Sequence, residues 1–210
     1  MHTQIIEDKQ LIKDRYIDYV SVFKERPASL KQLGNYFHIN HQVLLKHFST
    51  TDDIEKEIFS DLFKKTVYDL ASSELSEDYQ LKEKLLSIFY NWVNNLSNYS
   101  FFVKTLAEKN EDKADKFMDY IKNEFTIMCG VIIGEAIDDS EVGCERNLLV
   151  KYKDTLWDKF ILITHRWLDN NGAINNNTDT EIVAKVDHLV SLLTTNSSNP
   201  GVIFGGSGVN

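Results

Sequence analysis

Apolar residues recur along most of this chain at three- and four-residue intervals, the spacing that lines one face of an α-helix. Ile12, Tyr16, Tyr19 or Val20, and Phe23 mark a first helix over residues 8–25, which Pro27 closes. Leu30, Leu33 and Phe37 share a face of a second, short one. Val43, Leu44 and Phe48 repeat the spacing beyond Asn40, whose side-chain carbonyl suits a helix N-cap. Thr50 or Thr51 is placed to cap the next helix, which runs through Ile54, Ile58, Leu62, Val67 and Leu70 to about residue 73. Asp52, Asp53 and Glu55 in its first turn match the positive end of the helix dipole.

Beyond it the same period predicts helices over about 80–98, 101–109, 114–137, 147–170 and 179–193. Asp138–Gly143 and the polar run Asn175–Thr178 read as loops. Asn170-Asn171-Gly172 supplies C-cap chemistry, and the Ser-, Asn- and Gly-rich stretch from Thr194 reads as a flexible tail. No strand or internal repeat is evident. The fold class is therefore all-α, with about nine helices.

Residues 28–48 are helix, tight turn, helix with a shared apolar inner face. That is the layout of a DNA-reading helix-turn-helix. The expected organisation is a head over residues 1–50, a helical body over 51–195, and a tail over 196–210.

Charge changes this picture. The chain carries a net charge of −9. Residues 1–56 hold eight Lys or Arg against eight Asp or Glu, so the head is neutral and the acidity belongs to the body. A neutral head is not repelled by phosphate, yet it lacks the basic surplus of many nucleic-acid binders. The two cysteines, Cys129 and Cys144, read as reduced thiols. The N-terminus lacks a basic start followed by an apolar run, and no stretch is long and apolar enough to cross a membrane. A cytoplasmic protein without a membrane partner is expected.

Residues 28–54 resemble the N-terminal domain of the tetracycline-repressor (TetR) family of bacterial transcriptional regulators. The family pattern runs Thr-x-x-x-Ile-Ala, a Gly-Val turn, a Leu-Tyr-x-His-Phe block, then Ser-Lys-Glu and an apolar residue. Here the same register is filled without a gap by Ser29, Leu33-Gly34, His38-Ile39, Leu44-Leu45-Lys46-His47-Phe48, Thr50-Thr51-Asp52 and Ile54. The resemblance covers about residues 8–56. It departs at three places. His38 stands where the turn usually has Gly, which asks for a left-handed backbone. Leu45 replaces a Tyr and Thr51 a Lys, both phosphate contacts in the family. Thr51 keeps a hydroxyl, and the N-terminus of its helix is expected to offer N–H groups to phosphate.

The resemblance implies a ligand-responsive regulator, a repressor in the common case, that binds a pseudo-palindromic operator in double-stranded DNA as a homodimer. A recognition helix starting at Asn40 aims His41, Gln42 and Lys46 at the major groove; Gln pairs with adenine edges and Lys with guanine edges or phosphate. Lys31, His47 and Thr51 are candidate phosphate contacts. The family's inducer cavity lies between the central helices. Phe89, Trp92, Phe102, Phe117, Tyr120 and Met128 are candidates to line one here, for an unknown small apolar or aromatic ligand. The last two long helices are amphipathic, and the resemblance implies that they form the homodimer seam. The departures at Leu45 and Thr51 support an alternative, a protein of this fold that binds ligands or other proteins with weakened or lost DNA binding. The six histidines show no metal spacing, no nucleophile elbow or glycine-rich phosphate loop precedes a helix, and neither an enzyme nor a cofactor is expected.

Overall fold

The computed structural model describes residues 8–73, 78–108, 113–143 and 149–195. Its elements in chain order are α1 (Lys9–Phe23), α2 (Leu30–Phe37), α3 (His41–His47), α4 (Thr51–Ala71), α5 (Leu81–Ser97), α6 (Ser100–Glu108), α7 (Lys113–Asp138), α8 (Leu149–Asp169) and α9 (Asn176–Thr195). The described residues are thus all-α, as the periodicity predicts. Cys144 and the tail over 196–210 lie outside them.

Local chemistry starts the helices of the head. Asp8 caps α1 by accepting from Gln10 N. Ser29 caps α2 by accepting from Gln32 N, while the Gln32 side chain reaches back to Ala28 N at 2.6 Å. Asn40 caps α3 through Gln42 N at 2.9 Å. Of the two threonines available to α4, Thr50 is the cap and Thr51 the first helical residue.

The turn between α2 and α3 depends on two unusual backbone positions. His38 adopts the left-handed conformation, with φ 56°. Its neighbour Ile39 N then donates to Gly34 O at 2.8 Å. Gly34 faces this turn so closely that a Cβ there would lie 2.8 Å from Ile39 O and 3.2 Å from Leu44 Cδ1. A hydrogen at Gly34 is what lets α3 lie against α2.

In the body, α4 and α7 run side by side in parallel. Asp52 meets Lys116, Phe59 stacks on Phe117 at 4.6 Å, and Ser60 meets Glu124. The core between α4, α5, α7 and α8 centres on Phe160. Phe125 lies 4.4 Å from it, and Phe89 and Trp92 each 5.4 Å. Two indoles tie α5 to α8: Trp92 Nε1 donates to Thr164 Oγ1 and Trp167 Nε1 to Ser97 Oγ. Helix α9 packs on α5 and α8.

One expected loop is an element. The run Asn175–Thr178 is the cap and first turn of α9. Asn175 Oδ1 accepts from Asn177 N at 3.1 Å and from Thr178 N at 3.0 Å. Asn residues that read as a loop thus act as a helix start, because the side chain that favours turns also satisfies first-turn donors. At the other end of that connection, Asn171 and Gly172 both have positive φ, and Gly172 N donates to Trp167 O at 2.9 Å, the expected C-cap.

Candidate DNA-reading head and effector groove

The outer face of α3 presents Gln42, Leu45 and Lys46 to solvent, with Asn40 exposed at its cap. His41 and His47 are half-buried, and Leu44 is wholly buried against α2. Lys31 is exposed in the first turn of α2, and Thr51 is half-buried at the start of α4. The candidate DNA residues therefore gather around α3 and the two helix starts beside it.

Ion pairing decides how much of the head's positive charge is available. Lys9 pairs with Glu57 at 2.8 Å, Lys13 with Asp61, Arg15 with Asp18, and Arg26 with Glu55 at 2.9 Å. Lys31 and Lys46 make no ion pair among the described residues. Lys24 and Lys56 make none either, so the neutral head keeps four cations open, of which Lys31 on α2 and Lys46 on α3 lie on the helix-turn-helix.

The start of α4 is different. Asp53 Oδ2 accepts from Ser49 N at 3.0 Å and from Thr50 N at 2.8 Å, while Thr50 Oγ1 accepts from Asp53 N. This closed capping box uses N–H groups that the sequence suggests are open to phosphate, and it sets two aspartates in the first turn. Of the first-turn N–H groups of α4, the box engages that of Asp53.

Beneath the head, Glu55 is fully buried. Tyr16 Oη donates to one of its oxygens, and Arg26 Nη2 forms an ion pair with the other at 2.9 Å. Burial raises the Glu55 carboxyl above its usual range, while the Tyr16 hydrogen bond and the Arg26 charge pull it back. Burial and the adjacent carboxylate push the Tyr16 phenol far up. This cluster joins α1, the α1–α2 connection and α4. Tyr16 in turn meets Phe102 of α6 edge-on at 6.2 Å.

The body carries an apolar groove of about 680 Å³ between α4 and α7. Phe63, Val67 and Leu70 line it from α4, and Ile127, Met128, Val131 and Ile132 from α7. Ile127 and Val131 are 59% and 55% exposed, an unusual exposure for such residues, and they leave the groove open to solvent. Lys64, Lys84, Glu124 and Glu135 complete its lining.

Of the six residues proposed from the sequence for a ligand cavity, the structure brings Met128 to this groove. Phe89 and Trp92 lie wholly buried around Phe160. Phe102 and Phe117 stack about Phe59 at the joint between head and body, and Tyr120 is beside them at 6.5 Å. Sequence reasoning missed Val67, Ile127 and Val131 because aliphatic residues at helical spacing resemble ordinary core. Their signal is a second apolar stripe on the 114–137 segment, displaced from the one through Phe117, Ile121 and Phe125.

No group of three or more potential metal ligands occurs among the described residues, and none of their helices is long and apolar enough to span a membrane. Cys129 is buried, and that burial pushes its thiol up.

A three-helix head with a helix-turn-helix, continued by a shared helix into an all-helical body with an apolar groove, is the layout of helical transcriptional regulators. The family model described as "Tetracyclin repressor-like, C-terminal domain" matches residues 84–206. The chain belongs to this tetracycline-repressor-like family. No curated protein matches it. Among solved structures it is similar to the fatty acid degradation regulator FadR from Bacillus halodurans, with 13% identity, a TM-score of 0.58, and 88% of this chain and 93% of that one covered. It is also similar to a proposed fatty acid metabolism regulator of Clostridium perfringens, with 16% identity, a TM-score of 0.54, and 86% and 96% covered. At these identities the likeness is one of fold.

Proposed function

We propose that this protein is a ligand-responsive, DNA-binding transcriptional regulator. Residues 1–50 form the reading head, and residues 51–195 form the sensing and dimerising body. Asn40, His41, Gln42 and Lys46 address the major groove; Lys31, His47 and Thr51 lie at its phosphate margins. Two chains pair through α8 and α9, and the two heads read the halves of a pseudo-palindromic operator. The effect on transcription is repression, and the protein acts in the cytoplasm. Its effector is a small molecule with an apolar body, held in the α4–α7 groove. The fatty acid regulators of similar fold make a chain-like apolar effector a natural starting class.

One observation carries this reading: α4 takes part in both sites. It starts at the helix-turn-helix and forms one wall of the groove further along. A ligand that moves α7 against α4 therefore moves the head, and shifts the population between DNA-competent and incompetent forms.

A second reading has its own support. The Asp53 capping box, the neighbouring Asp52 and the exposed Leu45 all weaken contact with phosphate. They favour a ligand- or protein-binding module that retains the fold and has lost operator binding. A gel-shift of the purified protein with DNA from upstream of its own gene, at low and moderate salt, separates the two. Retention that weakens with salt supports the regulator. No retained fragment even at low salt favours the module.

A further inference from the structure

Glu124 lines the α4–α7 groove where Ser60 faces it across the two helices. Ser60 Oγ donates to Glu124 Oε1 at 2.8 Å. The other oxygen, Oε2, is buried and has no hydrogen-bond partner. A buried acceptor without a donor costs free energy, and the cost rises when the group is charged.

The other charges of the groove are already matched. Lys84 Nζ lies 3.0 Å from Glu135 Oε2, and Lys64 Nζ lies 3.4 Å from Asp61 Oδ1. Among the described residues, Glu124 is the groove's one carboxylate without a cation. It stands at the end nearer the head, about 16 Å along α7 from Glu135 at 1.5 Å per residue. Between them the wall is apolar.

We propose that the groove takes an organic cation: an elongated apolar molecule ending in a protonated amine, whose N–H donates to the Glu124 carboxylate once a side-chain rotation turns Oε2 into the groove. The apolar body covers the exposed Ile127 and Val131, and the ammonium supplies both the missing donor and the missing charge. Charge-assisted bonds of this kind are roughly twice as strong as neutral ones. A carboxylate head at the same place meets Glu124 as a like charge. The groove thereby selects by head group among molecules of one chain length, and against a free fatty acid. This inference rests on the groove being the effector site.

The test uses the full chain and three probes of equal length, dodecylamine, dodecanol and dodecanoate, each below its micelle-forming concentration and titrated by calorimetry. The amine is expected to saturate at one per chain and to bind at least about tenfold more tightly than dodecanoate. In Glu124→Gln the amine is expected to lose about tenfold, while dodecanol changes by less than about threefold. The head-group series on the unaltered protein does not depend on how that variant folds. Dodecanoate binding as well as the amine overturns the inference. So does amine binding that is multiple, salt-sensitive and unchanged in Glu124→Gln, which marks adsorption to an acidic surface. If all three probes bind alike, the groove stands as the effector site and Glu124 is not its selector. If none binds, the groove reading itself falls.

Discussion

Lys116 Nζ of α7 lies 2.5 Å from Asp52 Oδ2 in the first turn of α4. The hydrogen bond that Lys116 donates to Asp52 is the largest cause of its raised pKa, and burial opposes it. On α7, Lys116, Tyr120 and Glu124 follow one another at four-residue spacing. One helix face therefore runs from the groove to the start of the head. The pair is partly exposed, with 36% and 52% side-chain accessibility, so its contribution to stability is small.

Lys116→Met is accordingly expected to lower the unfolding free energy by less than about 1 kcal/mol. Its effect belongs to coupling: DNA retained by the variant responds less to a groove ligand than DNA retained by the unaltered protein. Gel-shifts with and without dodecylamine measure this. An unchanged ligand response removes the pair from the connection between the sites.

Arg26→Met leaves the buried Glu55 without its cation, and a loss of about 3 kcal/mol in urea unfolding is expected at neutral pH. The loss shrinks in acid, where a protonated Glu55 no longer needs a cation.

Glu55 also predicts a slope with pH. Its folded-state pKa is raised above the usual 4.5, chiefly by burial. The native state then holds the proton more tightly than the unfolded chain does. The resulting stabilisation is complete below 4.5 and is lost as pH rises through the folded value. Relative to Glu55→Gln, the unaltered protein should therefore lose stability as pH rises from 4.5 towards neutrality. Paired urea titrations across that range check it; a constant difference contradicts it.

His38 sits at φ 56° in the turn of the helix-turn-helix. A left-handed backbone costs a side-chain-bearing residue roughly 1–2 kcal/mol, which glycine avoids. His38→Gly is expected to stabilise the protein by about 1 kcal/mol, less glycine's own entropic cost in the unfolded chain. Its melting temperature should rise by roughly 2–4 °C. A lower melting temperature shows that the imidazole contributes more than the backbone strain removes.

At the DNA face, Lys46→Ala should weaken binding nearly uniformly across sequences and reduce the salt slope by about 1. Leu45→Tyr should strengthen it, since it restores a phosphate donor to an exposed position of α3. Salt-titrated gel-shifts with specific and unrelated DNA read both. A Lys46 effect confined to one base position instead identifies a base-edge contact.

Much of the head is legible in the chain because its determinants are local. The Asn40 cap, the left-handed His38 and the alternation of Leu30, Leu33 and Phe37 each depend on residues a few positions apart. The groove is less legible. Phe89 and Trp92 are good pocket candidates by size, yet ring packing around Phe160 absorbs them, and that packing joins α5 to α8. The wall of the groove is mostly aliphatic, and apart from the second apolar stripe on the 114–137 segment it reads as ordinary core. That a capped helix starts near Thr50 is legible in the threonines and aspartates, but which donors Asp53 takes is not.

The sequence by itself determined that the chain is helical, where most of the helices start and stop, and that the second and third make a helix-turn-helix. Periodicity, caps and the left-handed turn act within one or two helical turns, so neighbours along the chain suffice. Only the tertiary structure decided where the groove lies, which lysines remain open to phosphate, and that Glu124 is left with a buried, unpartnered oxygen. The lysines follow from the packing of α1 on α4, and the groove and the Glu124 oxygen from the parallel register that sets Asp52 against Lys116 and Ser60 against Glu124. These partners are 64 residues apart, and packing of the whole core sets that register.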